Sequence, residues 1–449
     1  MKRRYFGTDG IRGKSNTFPI TPDFMMRVGI AVGYLFRGKK NHRRRRVVIG
    51  KDTRLSGYML ENALVAGFTA AGMDAFILGP IPSPAVAMLT RSLLADVGIM
   101  ISASHNPYED NGIKLFDPDG YKISTDIEFR IENLLEEDLT PYLSCYDSIG
   151  HAKRVNGVHD RYIEHVKRTL PPDVNLQGLR IVVDCANGAS YKVAPEIFGE
   201  LGADVVVIGD KPNGININLD CGSTNVSSLQ RKVHEVRADI GISLDGDGDR
   251  VIIVDEKGAV VNGDQIMALI AKEWMSHSLL RGNGIVTTVM SNIGLERFIA
   301  SLGLSLERTK VGDRHVMEYM KNNGFNVGGE QSGHIILSDY GSTGDGLVAS
   351  LQVLRYIKKY DKPVSMMCHC FEEYPQFLRS IPVKDTSVLN SSLIMEAIAD
   401  AESELSGMGR LIVRASGTES IIRIMAEGDN FSKIKRIVDD LAGLIPMVN

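Results

Sequence analysis

Cysteine is scarce in this 449-residue chain and shows no pattern: Cys145, Cys185, Cys221, Cys368 and Cys370. An odd, scattered set excludes a disulfide framework and points to a reducing compartment. Cys368-His369-Cys370 lacks a second ligand pair at zinc-like spacing, so it does not read as a metal site. No apolar run is long enough to span a membrane. The opening "MKRRYFGTDGIRG" is basic with no apolar core behind it, so a signal peptide is not expected and the chain reads as cytoplasmic. Strong charge of one sign is also missing. A net charge of −4 gives no global pull toward nucleic acid or anionic membrane. The one local exception is "KKNHRRRR", residues 39–46. Without interleaved aromatics it reads as a solvated helix end before a strand, in preference to a nucleic-acid patch. The Gly-Lys-Ser/Thr ending of a nucleotide P-loop occurs nowhere.

What is present is an ordinary globular composition, 43% hydrophobic and 24% charged, in a chain too long for one core. Forty-five glycines suggest many turns that approach a ligand closely. Several segments repeat one grammar: a β-branched run, a glycine turn, then a helical pattern. "RRVVIGKDTR", "AFILGPIPSP" and "DVGIMISASHNP" are the first examples. "LRIVVDCANGAS", "ADVVVIGD" and "ADIGISLDGDGDRVIIVDEKG" follow, then "GNGIVTTVMSN", "LSLERTKVGDR" and "NVGGEQSGHIIL". Strands alternating with helices imply an α/β protein with mixed, largely parallel sheets in three related domains. The tail differs. "GRLIVRASGTESIIRIMAEGDN" reads as two strands around a turn, with an amphipathic helix from Phe431, hence a small C-terminal α+β domain. The expected units are residues 1–154, 155–256, 257–370 and 371–449.

The polar clusters fall where strands end, which is where open α/β sheets bind ligands. In "ISASHNPYEDNGIK", Ser104 ends an apolar run and precedes His105. Adjacent residues on an extended chain project to opposite sides, so His105 is expected to fix the loop and not to activate Ser104. In "SLDGDGDRVIIVDEKG", Asp245, Asp247 and Asp249 alternate with glycines. Three carboxylates this close require a compensating cation, and all-oxygen ligation suits magnesium or calcium. An EF-hand is excluded because Arg250 occupies the position that loop reserves for glycine. Arg250 beside the ion suggests a phosphate on the substrate. In "GGEQSGH", Glu330, Ser332 and His334 alternate, so they are expected on one face, suited to sugar hydroxyls or an amine. In "RASGTESIIR", Arg414, Ser416, Thr418 and Arg423 around Gly417 make a phosphate cradle. Together the four segments fit phosphoryl transfer on a phosphosugar.

Five motifs, in order and spanning the chain, resemble the α-D-phosphohexomutase superfamily: "YFGTDGIRG", "SASHNPYEDNGIKLF", "DGDGDR", "GGEQSGH" and "RASGTE". The likeness is greatest to its bacterial members that work on glucosamine phosphates. The resemblance implies four domains around a central cleft, the last closing over it. It implies that Ser104 carries a phosphoryl group and that magnesium is held by Asp245, Asp247, Asp249 and that phosphoserine. Glu330 and Ser332 map onto the sugar loop; Arg414, Ser416, Gly417, Thr418 and Arg423 map onto the phosphate loop. Arg12 and Lys114 map beside the reacting phosphoryl group, for proton transfer or for charge neutralisation. His334 is a further candidate for this chemistry, or orients the sugar loop. Ser420 stands where relatives often carry proline. The implied reaction interconverts glucosamine 6-phosphate and glucosamine 1-phosphate through glucosamine 1,6-bisphosphate, supplying UDP-N-acetylglucosamine for the cell wall. The implied partners are the phosphosugar and, in a homodimer, a second copy of the chain, with no nucleic acid or membrane. The rival readings are the same chemistry on glucose or mannose phosphates, a phosphosugar sensor without catalysis, and a metal-dependent phosphatase.

Overall fold

The computed structural model describes residues 4–37, 45–415 and 421–445. The phosphate-loop residues Ser416, Gly417 and Thr418, with Ser420, lie outside the described residues, as do residues 39–44 of the basic run. Of the rest of that run, Arg45 Nη1 lies 2.7 Å from Asp96 Oδ1, and the Arg46 guanidinium sits 5.4 Å over the Phe76 ring.

Among the described residues the strands form four sheets. In the first, Asp74–Pro80, Arg46–Lys51 and Val97–Ile101 run parallel, and Asp110–Phe116 returns antiparallel to Val97–Ile101. In the second, Asp204–Ile208, Arg180–Asp184 and Ile240–Leu244 run parallel, and Val251–Asp255 returns antiparallel. In the third, Ser305–Thr309, Gly284–Thr288 and Val327–Gly329 run parallel, and Ile335–Leu337 returns antiparallel. The same strand order is thus built three times. In each copy the hairpin connection holds one of the polar clusters: residues 102–109, 245–250 and 330–334. Apart from exposed Arg180 the central strands are buried on both faces, which is why they read as near-continuous apolar runs.

Alternation along the first sheet divides its residues between two cores. Val47, Ile49, Ile99 and Ile101 pack with Leu60, Leu64 and Phe68 of the helix Ser56–Ala70. Val48 and Met100 face the other way, against Val86 and Leu89 of the helix Ser83–Ser92. This second core continues without a break through Ile181 and Ile242 into Ile285, Val327 and Leu351. The first three units are therefore fused by shared apolar burial. One expected boundary needs correction: the strand Val260–Val261 pairs with Val251–Asp255, so the second sheet runs past residue 256.

The fourth sheet is all antiparallel, in the order Gln376–Pro382, Ile421–Gly428, Gly409–Ala415. Ile422, Ile424 and Ala426 alternate inward against Ile434, Ile437, Val438 and Leu441 of the helix Phe431–Leu444. That helix is amphipathic at the expected spacing, and Asn430 caps it by accepting from Lys433 N at 3.0 Å. The core here is separate from the others. The chain stays tied to the third unit as far as Tyr374, through Gln265 Nε2 to Phe371 O (2.9 Å) and Asn292 Nδ2 to Tyr374 O (2.9 Å). Beyond it, Arg410 Nη2 donates to Ser291 O at 2.7 Å and Gln376 Nε2 to Met290 O at 3.4 Å.

Candidate active site

Ser104 leaves the end of Val97–Ile101 in the left-handed region, with φ of 53°. For a non-glycine residue this costs about 1–3 kcal/mol and needs neighbours that enforce it. Ser102 Oγ accepts from Ser104 N at 2.9 Å and donates to Asp52 Oδ2 at 2.6 Å. Arg54 Nη2 donates to Ser104 O (3.2 Å) and Asn106 O (2.5 Å). Asn218 Nδ2, from the second unit, donates to the same two carbonyls at 2.9 and 3.0 Å. Gly246 packs so closely on Ser104 O that a Cβ there would lie 2.5 Å away. The serine loop is thus clamped by both units.

The left-handed turn corrects the argument from an extended chain. It brings Ser104 Oγ to 3.4 Å from His105 Nδ1, although the residues are adjacent. The stronger contact is elsewhere: Ser104 Oγ donates to Asp245 Oδ2 at 2.5 Å. Burial, then Arg250 and Arg12, depress the His105 imidazole to about 4, so it is neutral near pH 7.

Asp245, Asp247 and Asp249 are all buried, and one oxygen from each falls within 4.8 Å of the others. Burial, then Asp249 and Asp247, push the Asp245 carboxyl well above its usual range. Burial acts on Asp249 in the same direction, but Lys114 and His334 hold it well below. Asp247 Oδ1 and Asp249 Oδ1 are buried without a hydrogen-bond partner among the described residues. Two orphaned carboxylate oxygens in an all-oxygen set fit a hard divalent cation. Lys114 Nζ lies 2.6 Å from Asp247 Oδ2 and 2.7 Å from Asp249 Oδ2. Against the pull of burial, Asp247, Asp249 and Asp9 raise its pKa well above normal, so it is a fixed ammonium. Arg250 N donates to Asp245 Oδ1 at 3.1 Å, and its Nε, 3.9 Å from Asp249 Oδ1, has no hydrogen bond among the described residues. Arg12 pairs with Asp9 and reaches the serine loop at Ala103 O (3.4 Å).

Residues 330–334 are a turn and not the strand that their alternation imitates. Gly333, at φ of 90°, packs on the Val251 carbonyl where a Cβ would sit 2.1 Å away, and this reverses the chain. Glu330 and Ser332 stay together, Ser332 Oγ to Glu330 Oε2 at 3.4 Å, and Glu330 Oε1 accepts from Gly312 N at 3.1 Å. His334 departs from them into buried surroundings. Its Nδ1 lies 3.6 Å from Asp249 Oδ1 and its Nε2 lies 3.3 Å from Asp313 Oδ2.

Other site residues escaped the sequence reading. Asp9 accepts from Arg12 and Lys122, and Lys122 also pairs with Asp313. Ser83 Oγ donates to Asp247. Asp9 lies inside "YFGTDGIRG" and Asp313 inside "TKVGDR", so composition marked the segments but not the residues. In the fourth sheet Arg414 and Arg423 are directly opposed across neighbouring strands. Burial and then Arg423 lower the Arg414 pKa.

Four family models match in succession, all described as phosphoglucomutase/phosphomannomutase. They are alpha/beta/alpha domains I (residues 3–141), II (160–258) and III (262–374) and the C-terminal domain (380–444). The chain belongs to this family, and with its mixed α/β sheets is an α-D-phosphohexomutase. Within the family it groups with the phosphoglucosamine mutases, which are isomerases. It is 67% identical to the phosphoglucosamine mutase of Rhizobium rhizogenes, over 100% of this chain and 99% of that one. A phosphoglucomutase/phosphomannomutase family protein from Burkholderia thailandensis has the same fold, with a TM-score of 0.80 at 24% identity, covering 97% and 96% of the two chains. So does Aspergillus fumigatus N-acetylphosphoglucosamine mutase, solved with GlcNAc-6P and magnesium, with a TM-score of 0.70 at 20% identity, covering 99% and 95%.

Proposed function

We propose that this chain interconverts glucosamine 6-phosphate and glucosamine 1-phosphate through a phosphorylated Ser104. The observation that carries the proposal is the Ser104 hydroxyl, 2.5 Å from Asp245 in a buried carboxylate cluster that also grips Lys114. Phospho-Ser104 gives its phosphoryl group to the free sugar hydroxyl: the Ser104 Oγ–P bond breaks, a sugar O–P bond forms, and the sugar hydroxyl proton ends on the freed Ser104 Oγ. The product is glucosamine 1,6-bisphosphate. It turns around in the cleft, and its other phosphoryl group returns to Ser104: that sugar O–P bond breaks, the Ser104 Oγ–P bond re-forms, and the serine proton passes to the freed sugar oxygen. Magnesium bound to Asp245, Asp247, Asp249 and the phosphoserine would neutralise charge on the transferring group.

Lys114 and Arg12 fit the same electrostatic task, since Lys114 is held as an ammonium by its carboxylate neighbours. Arg250 suits a substrate phosphate. Glu330 and Ser332 suit the sugar hydroxyls or amine, and His334 suits a place between that loop and the carboxylates. Arg414, Ser416, Gly417, Thr418 and Arg423 suit the phosphate that is not reacting. We divide the labour as phosphoserine in residues 1–154, metal in 155–261, sugar in 262–370 and phosphate in 371–449. A product feeding UDP-N-acetylglucosamine synthesis, a cytoplasmic location and a homodimer belong to the same proposal.

The test is turnover on glucosamine, glucose and mannose phosphates, with intact-mass measurement of Ser104. Glucosamine phosphates are expected to rank first, with one phosphoryl group on Ser104. A glucose or mannose preference would move the activity to the other family members. Net release of inorganic phosphate would favour a phosphatase, and binding without turnover a sensor.

A further inference from the structure

Six ionisable groups close into a ring beside the proposed site. Lys114 Nζ is 2.7 Å from Asp249 Oδ2, and Asp249 Oδ1 is 3.6 Å from His334 Nδ1. His334 Nε2 is 3.3 Å from Asp313 Oδ2, and Asp313 pairs with Lys122. Lys122 pairs with Asp9, whose Oδ2 returns to Lys114 at 3.5 Å. The first unit supplies Asp9, Lys114 and Lys122; the second supplies Asp249; the third supplies Asp313 and His334. We propose that Lys122 and Asp313, on the side of this ring away from Ser104, are positioning residues for phosphoryl transfer.

The inference rests on the mutase reading and deepens it. Neither residue has a hydrogen bond or ion pair with Ser104 or the aspartate trio among the described contacts. Asp313 holds one group that does, His334, and Lys122 holds one a step further off, Asp9. Lys122 fixes Asp9, the alternative partner of Lys114 and the ion-pair partner of Arg12. Asp313 fixes His334 against Asp249. Remove the Lys122 ammonium and two partly buried carboxylates lose the cation they share. Asp9 then draws harder on Lys114 and Arg12, and Asp313 on His334, so both flanks of the site shift at once. Stability alone does not account for the pair, because a buried ion pair is weak evidence of stability and apolar side chains pack as well. Nearby ties also join the first and third units without Lys122. Arg314 Nη1 lies 2.9 Å from Glu128 Oε2, and Ser342 Oγ donates to Gly120 O at 2.6 Å. A variant at 122 should therefore fold.

The test is steady-state kinetics of Lys122→Met, Lys122→Arg, Asp313→Asn and the Met/Asn double variant, with melting curves for each. Small misplacements near reacting atoms cost up to about a hundredfold, so kcat is expected to fall about 10–100-fold in Lys122→Met, with KM for the sugar phosphate changing less. Lys122→Arg should recover most of the loss. Because the two residues share one contact, the double variant should lose little more than either single. If Lys122→Met does not fold, Asp313→Asn, which leaves Lys122 paired with Asp9, decides. Folded variants with kcat within about threefold of wild type would overturn the proposal, since displacement of this kind is expected to exceed that. So would a loss that arginine does not recover. A wild-type protein inactive on glucosamine phosphates would instead break the underlying mutase reading, and the same assay shows which has failed.

Discussion

One apolar core runs through the first three units, from Val48 and Met100 to Ile242 and Leu351, whereas the fourth keeps its own, from Ile381 to Ile445. The proposed reacting groups come from the fused part: Ser104, Lys114, the three aspartates and His334. The separate part supplies Arg414 and Arg423, and it meets the third unit through contacts such as Arg410 to Ser291 O. The contrast follows the demands of the chemistry. Phosphoryl transfer depends on placement of the reacting groups to a fraction of an ångström. A bisphosphate that must turn around also needs a cleft that opens, and hydrogen bonds exchange with water more readily than a shared apolar core comes apart.

The largest effect probes the fused side. Ser104→Ala removes the proposed phosphoryl carrier and should lower turnover roughly a thousandfold or more, with little change in the melting curve. Near-normal turnover would end the relay reading. Asp247→Ala should lower activity by at least about a hundredfold, and excess magnesium should not restore it. Full wild-type activity in chelator would remove the metal from the site.

Core substitutions then test the comparison directly. Ile242 and Ile424 are both fully buried, so replacing either by alanine should cost about 2–5 kcal/mol. Ile242→Ala should lower the main calorimetric transition. Ile424→Ala should instead split off an early transition of the fourth domain while the other three stay folded. One shared transition for Ile424→Ala would mean that the two regions unfold together. The smallest effect is at the contact between the third and fourth units. Arg410→Ala loses one hydrogen bond across it, worth about 1 kcal/mol, and the ion pair to buried Glu427 within the fourth unit, so the melting curve should fall slightly while KM rises only several-fold with kcat nearly constant. An unchanged KM would make that contact irrelevant to closure.

The α/β plan was legible because central strands buried on both faces must be largely apolar, as Val97–Ile101 is and as Ile240–Leu244 is but for Ser243. The aspartate cluster was legible because one hairpin connection holds it. Edge strands were not. Ala152–Arg154 is exposed along its length and has no apolar signature. Nor were Lys122 and Asp313, whose pairing joins segments 191 residues apart and leaves no trace in local spacing. The alternation of Glu330, Ser332 and His334 misled because a turn through glycine and a strand's wet face share one polar pattern. His105 differs from expectation for a related reason: the chain is not extended at Ser104, which is left-handed.

That left-handed serine carries a further implication. The side chains of Arg54 and Asn218 fasten its main-chain carbonyl, and Ser102 fastens its amide. None of these bonds ends on the hydroxyl oxygen. Whatever the hydroxyl carries, the fastenings are the same. The turn can be written on and erased through every cycle without being refolded, because its shape is kept in the backbone and its state in the side chain.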